Sequence, residues 1–149
     1  MTKELYKKED IDVMLITKNS LNKSRIQELI NFAKNSNFKK IGIANCFSMQ
    51  KYADKLVEIL QKDNFEVFAM NCKVSGLKTG DIFNDSSIAP SCDPLSQAKY
   101  LNENNTDLNI NVGLCLGHGI LFQQYSKAPT TTIIVKDFQT NHNIREQLE

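Results

Sequence analysis

The sequence has no tryptophan and no internal repeat. Its longest apolar stretches run to only about five residues, against the roughly 20 that a membrane-spanning helix needs. It has no excess of either charge: 18 Lys and Arg stand against 17 Asp and Glu. A protein held to nucleic acid through phosphate contacts is usually more basic, so neither nucleic acid nor membrane is expected as a partner. The segment from Met1 to Asp12 is charged and lacks the apolar run of a signal peptide. A cytoplasmic protein is therefore expected. No Gly-x-Gly-x-x-Gly turn, Walker sequence or Gly-x-Ser-x-Gly elbow is present. Four cysteines are too few for a disulfide scaffold and more than packing requires. In a reducing compartment such clusters more often bind metal or react than form bridges.

What is present is ordinary globular composition, 41% apolar and 23% charged over 149 residues. That length suits one domain, 1–149, with one core. Lys8 to Asn19 is ambiguous: Val13 to Thr17 would suit a strand, but Ile11, Met14 and Leu15 allow a helix, which is favoured. Ser24 and Gln27 suggest a capping box, followed by the helical stripe Ile26, Leu29, Ile30 and Ala33 up to Asn35. Lys39 to Cys46 reads as a buried strand, Gln50 to Asp63 as a helix and Phe65 to Met70 as a second strand. Lys73 to Ser91, with Gly76, Gly80 and Pro90, reads as a long irregular loop over the strand carboxyl ends. Asp93-Pro94 marks a helix start, with Asp93 as N-cap. Strands at Leu108 to Leu114 and Thr130 to Val135 flank a short helix over Ile120 to Ser126, and the tail allows one helical turn near Ile144 to Leu148.

Helices alternating with short apolar strands predict a three-layer α/β fold. Its sheet is mainly parallel, with about four strands and helices on both faces. Analogy with other doubly wound sheets gives the order 2-1-3-4. Ligands of such sheets bind outside the strand carboxyl ends, near the topological switch point. Cys46, Cys72 and Cys115 each follow a predicted strand and so converge on one rim. Cys92 precedes the Asp93 cap and joins them if the loop folds back. Cys46, Cys92 and Cys115 also stand just before helices, whose N-termini favour thiolate. His118 follows Cys115 by three residues, a common half of a metal site. Lys136 and Asp137 end the fourth strand on the same rim, where Asp137 could orient a ligand or cap the next turn. Lys127 could meet an anion or simply enter the strand. His142 lies in a polar tail and reads as solvated. The bland alternative for each single cysteine is a small buried hydrophobe. Gly113, Gly117 and Gly119 suit a strand-to-helix turn that needs positive φ.

The run Cys92-Asp93-Pro94-Leu95-Ser96-Gln97-Ala98, with Thr106-Asp107-Leu108-Asn109-Ile110, resembles the DUF1847 family. So do Val112-Gly113-Leu114-Cys115-Leu116-Gly117-His118, Ser126-Lys127-Ala128-Pro129 and Val135-Lys136-Asp137. Upstream, Lys40 to Cys46 and Cys72-Lys73-Val74 also fit, so the resemblance covers roughly residues 24 to 143. Members are described as uncharacterised, predicted metal-binding proteins. The resemblance implies that Cys46, Cys72, Cys92 and Cys115 are the family's cysteines. It implies that His118 is the histidine of its Gly-His pair and His142 the histidine after the last strand. The chain departs from the pattern at Gly119, Phe138 and Ile144, where the family usually has Asp, Arg and Pro. An extra cysteine-rich N-terminal segment of many members is not in these 149 residues.

Three functions are compatible with this reading. The first is metal binding by Cys46, Cys72, Cys92 and Cys115 with His118 or His142, where thiolates suit zinc or an iron–sulfur cluster. The second is a thiol-based transferase or redox enzyme, with Cys115 as nucleophile activated by the helix terminus and His118, Cys46 or Cys72 resolving a disulfide, and Asp137 as a further catalytic candidate. The third is a module that binds a small molecule or a partner and uses its cysteines structurally.

Overall fold

The computed structural model describes residues 2–149, which divide into two compact units, one ending at Lys39 and the other spanning Lys40–Glu149. The first holds a 3-10 turn and two helices, α1 (Lys8–Ser20) and α2 (Arg25–Asn35). Ser24 accepts the Gln27 backbone N–H at 3.2 Å, the expected cap. The Gln27 side chain turns instead to Asn31, so only half of the capping box forms. Ser20 ties the hairpin together. Its hydroxyl accepts from Asn35 Nδ2 at 3.0 Å and its carbonyl from Asn31 Nδ2 at 3.2 Å.

The second unit carries a four-stranded, all-parallel sheet in the order β2-β1-β3-β4. The strands are β1 (Lys40–Asn45), β2 (Glu66–Asn71), β3 (Leu108–Val112) and β4 (Thr130–Ile134). Between them lie α3 (Gln50–Lys62), α4 (Thr79–Phe83), α5 (Pro94–Glu103) and α6 (Leu116–Tyr125). Class and strand order are as the sequence predicts. Right-handed crossovers across this order place α3 on one face and α5 with α6 on the other. Central β1 is buried almost throughout, with Ile41 and Ile43 at 1% and 0% exposure. Gly42 is required by the close approach of Asn109 and of α5, since a Cβ there would strike Asn109 Oδ1 and lie 2.8 Å from Leu101 Cδ1.

Asparagine stops the helices where glycine commonly does. Asn37, Asn64, Asn84 and Asn105 follow α2, α3, α4 and α5, each with a φ of 54–68°. Asparagine tolerates this left-handed region better than other non-glycine residues.

Three local expectations are corrected. The third strand ends at Val112 rather than Leu114, because Gly113 turns the chain at φ +66°. The following helix starts at Leu116 rather than Ile120, with Cys115 as its N-cap residue. Gly117 and Gly119 are therefore helical, and only Gly113 supplies positive φ in that segment. The stretch from Lys73 to Ser91 is not wholly irregular. It contains α4 and closes on itself, with Thr79 N–H to Ala89 O and Ser91 N–H to Leu77 O, both 2.8 Å. Its two ends meet where the Asp93 N–H donates to Cys72 O at 2.7 Å. Among the described residues no helix is long and apolar enough to cross a membrane.

Candidate functional site

Parallel strands bring their carboxyl ends to one edge. Here β1 continues into Cys46, β2 into Cys72, β3 into Cys115 by way of Gly113-Leu114, and β4 into Lys136 by way of Val135. Crossovers leave β1 and β3 toward opposite faces, so Cys46 and Cys115 flank the topological switch point. Side-chain amides fix this rim. Asn45 Nδ2 donates to Cys46 O at 2.9 Å and to Gln50 Oε1 at 3.0 Å. Gln97, fully buried on α5, donates to Asn45 O at 3.1 Å and Met70 O at 2.8 Å, holding the ends of β1 and β2 together. Gly113 must lack a side chain, because its Cβ would strike Met49 Cγ at 2.6 Å.

The Lys136 ammonium bridges two sulfurs. Its Nζ lies 2.9 Å from Cys46 Sγ and 3.1 Å from Cys115 Sγ, so the sulfurs stand within two hydrogen-bond lengths of each other. The Phe138 ring backs the same nitrogen at 5.6 Å. Ser48 Oγ is 3.0 Å from Cys46 Sγ. Burial pushes the Cys46 thiol up, but Lys136 and Ser48 together outweigh it, and the group titrates below an ordinary cysteine. Burial likewise works against the Lys136 charge, and the two sulfurs reverse it, holding the ammonium protonated beyond the usual lysine range. Lys136 thus favours the thiolate form of Cys46, with Cys115 as the second sulfur in reach.

Cys72 is the opposite case. It is 2% exposed, accepts the Phe47 N–H at 3.3 Å and contacts Cys92. Burial raises its pKa to about 12, with the neighbouring Cys92 and Cys46 adding to the rise. It holds its proton at any physiological pH. Cys115 and Cys46 thus share Lys136, while Cys72 contacts Cys92. Among the described residues no group of three or more Cys, His, Asp or Glu side chains is gathered as metal ligands would be.

The two histidines and Asp137 lie elsewhere. His118 lines a cavity with Cys92, and no hydrogen bond joins it to Cys115 among the described residues. His142 Nδ1 accepts the Asp137 N–H at 3.0 Å, and its ring packs edge-on to Phe138. Asp137 accepts from the Thr140 hydroxyl and from Gln147 Nε2 at 2.6 Å. It organises the turn that follows Lys136. Lys127 is exposed, and its N–H donates to Asn102 Oδ1 at 2.9 Å. Lys136 itself is the residue that cysteine spacing misses. Its signal in the sequence is position alone, a basic residue just past the last strand of a parallel sheet.

The model of a family described as a protein of unknown function, DUF1847, matches residues 2–133. The chain belongs to the DUF1847 family. That match includes all four cysteines and stops before Lys136, Asp137 and His142. The uncharacterized protein MJ0455 of Methanocaldococcus jannaschii is 46% identical over a 151-residue alignment, which covers 94% of this chain and 77% of that protein. No solved structure matches. This DUF1847 chain therefore takes no reaction from its relatives, and its chemistry rests on the rim.

Proposed function

We propose that this protein carries out thiol–disulfide chemistry, with Cys46 as the attacking thiolate. One observation carries the reading: a single ammonium, Lys136 Nζ, contacts two cysteine sulfurs at the switch point of a parallel sheet. A lowered thiol pKa beside a cation is what activates a cysteine nucleophile near neutral pH. Cys46 Sγ attacks one sulfur of a substrate disulfide, RSSR. A Cys46–SR bond forms, the S–S bond breaks, and the leaving thiolate takes a proton from Lys136. Neutral Lys136 then takes the proton of Cys115, whose sulfur attacks Cys46 Sγ and expels the second RS⁻. Lys136 protonates that group in turn. The substrate gains two electrons and leaves as two thiols, and the protein loses two and keeps a Cys46–Cys115 disulfide.

Alkylation with iodoacetamide near neutral pH, read by mass spectrometry at each cysteine, tests the first step. Cys46 is expected to label first. Cys115→Ser, treated with oxidised glutathione, is expected to accumulate a mixed disulfide on Cys46. Slow, uniform labelling of all four cysteines, with no trapped adduct, refutes the reading.

A second reading uses the same sulfurs for zinc or an iron–sulfur cluster, and the contact between Cys72 and Cys92 favours it. The donor type suits such a metal. The arrangement does not, because Lys136 occupies the space between Cys46 and Cys115. Elemental analysis of protein purified without oxygen separates the readings. Stoichiometric metal, together with cysteines that resist alkylation until it is removed, replaces the thiol reading.

A further inference from the structure

We infer that the cavity between the Lys73–Ser91 segment, α5 and α6 is a binding site for a small molecule with an aromatic or branched apolar body and one anionic group. This goes beyond the thiol chemistry and does not depend on it. The cavity has a volume of about 510 Å³, within the range of roughly 300–1,000 Å³ typical of small-molecule pockets. Its wall is mainly apolar: Leu77, Ile82 and Phe83 from the segment face Leu121 and Tyr125 of α6. Ile82 and Phe83 remain 56% and 69% exposed, and Leu121 is also exposed. The segment that carries Ile82 and Phe83 is itself ordered, closed by Thr79 N–H to Ala89 O and Ser91 N–H to Leu77 O. An apolar guest covers surface that the fold leaves in water.

The charge of the guest follows from the polar groups in the wall. Asp93 is the carboxylate there, and its oxygens are already taken. Oδ1 accepts the Ser96 N–H at 3.0 Å, and Oδ2 accepts the Ser75 and Ser96 hydroxyls, each at 2.6 Å. Lys73 is the cation, its Nζ resting 4.7 Å over the Phe47 ring with no carboxylate partner among the described residues. His118 adds a ring that can donate a hydrogen bond and has no partner among the described residues. An anionic head meets Lys73 and His118 while the body meets Phe83 and Leu121. Cys92 shares the wall, so a bound guest shields its sulfur.

The probes are 8-anilinonaphthalene-1-sulfonate, an aromatic monoanion, and N-phenyl-1-naphthylamine, its neutral counterpart. Saturable one-to-one fluorescence enhancement with the sulfonate is expected. Leu121→Glu and Ile82→Glu alter exposed positions, and each should weaken it by about tenfold or more. Their circular dichroism should match the parent. Lys73→Gln should weaken the sulfonate several-fold and leave the neutral probe unchanged. Bound sulfonate should slow alkylation of Cys92 and leave that of Cys46 unchanged, which separates this inference from the thiol reading. Undiminished binding in both glutamate variants overturns the proposal, as does an equal loss of both probes in Lys73→Gln. A dimer that the sulfonate dissociates shows that a second copy of the chain is the occupant, and also overturns it.

Discussion

Replacing Lys136 by methionine keeps the length of the side chain and removes its charge. Two opposing effects act on Cys46, burial raising its pKa and Lys136 lowering it. Two unit charges about 3 Å apart attract by about 5 kcal/mol at an effective dielectric near 20. Most of that replaces hydration lost on approach, and a hydrogen bond to a charged group nets about 1.5–3 kcal/mol. The thiolate population at a fixed pH below the midpoint should then fall roughly ten- to hundredfold. The alkylation rate falls less, because a more basic thiolate is a better nucleophile. With a Brønsted slope near 0.4–0.5 the loss at pH 7 becomes about three- to tenfold.

Without Lys136 the burial effect stands against Ser48 alone, so the Cys46 thiol moves upward. The assay is the pH profile of iodoacetamide labelling at Cys46, read peptide by peptide. The wild-type midpoint should lie below that of an unperturbed cysteine, and Lys136→Met should move it upward. Lys136→Arg, which retains the charge, should restore part of the shift. An unchanged midpoint in Lys136→Met refutes the role assigned to Lys136, whatever the protein acts on.

Cys72, with its pKa near 12, should be the last cysteine to label in folded protein, and should label like the others only in denaturant. Labelling of Cys72 ahead of Cys115 would show that its burial is wrong. Asp93→Ala removes the N-cap of α5 and should cost about 1–2 kcal/mol, a fall in Tm of a few degrees. Because the folded protein holds the Asp93 carboxyl below its ordinary value, its stabilisation is complete above the unfolded pKa and is lost as pH falls through the folded one. The Tm gap between wild type and Asp93→Ala should therefore narrow in acid, and a gap that widens there contradicts the cap. Gly42→Ala forces a methyl against Leu101 and should destabilise by about 1–3 kcal/mol through overpacking; an unchanged Tm would contradict that close approach.

Much of the fold was legible because several local signals agreed. Ile41 to Ala44 form a short apolar run of the kind that only a strand buried on both faces tolerates, and β1 lies at the centre of the sheet. Asp93-Pro94 specified the start of α5 to the residue, since Asp93 accepts the Ser96 N–H of the first turn and proline at the first helical position already has a helical φ. The start of α6 was missed because Leu116-Gly117-His118-Gly119 reads as a turn. Glycine lowers helix propensity, but Cys115 supplies an extended N-cap and the first turn forms regardless. The fine structure of Lys73 to Ser91 was missed because it depends on bonds made across the segment, such as Gly80 N–H to Ser87 O, that leave no periodic pattern.

The place of three cysteines on the rim was legible, and the chemistry around them was not. Strand ends alone placed Cys46, Cys72 and Cys115 on one rim, because a parallel sheet has only one carboxyl edge. Spacing could not say what stands between the sulfurs. Cys115 and His118 are three residues apart on the chain and invite pairing. Yet a side chain at an N-cap and one in the first turn need not face the same way, and His118 faces the cavity that Cys92 also lines. Lys136 is 90 residues from Cys46 in sequence and 2.9 Å away in space. That contact exists only because β4 runs parallel beside β3 and ends on the same edge. The charge that separates a reactive thiol from a buried hydrophobe is therefore a property of the topology. In a chain with equal numbers of acids and bases to within one residue, composition gives no hint of it. The four cysteines are accordingly not equivalent: Lys136 lowers the pKa of Cys46 while burial raises that of Cys72, and the cation shared by Cys46 and Cys115 is the feature on which the proposed thiol chemistry rests.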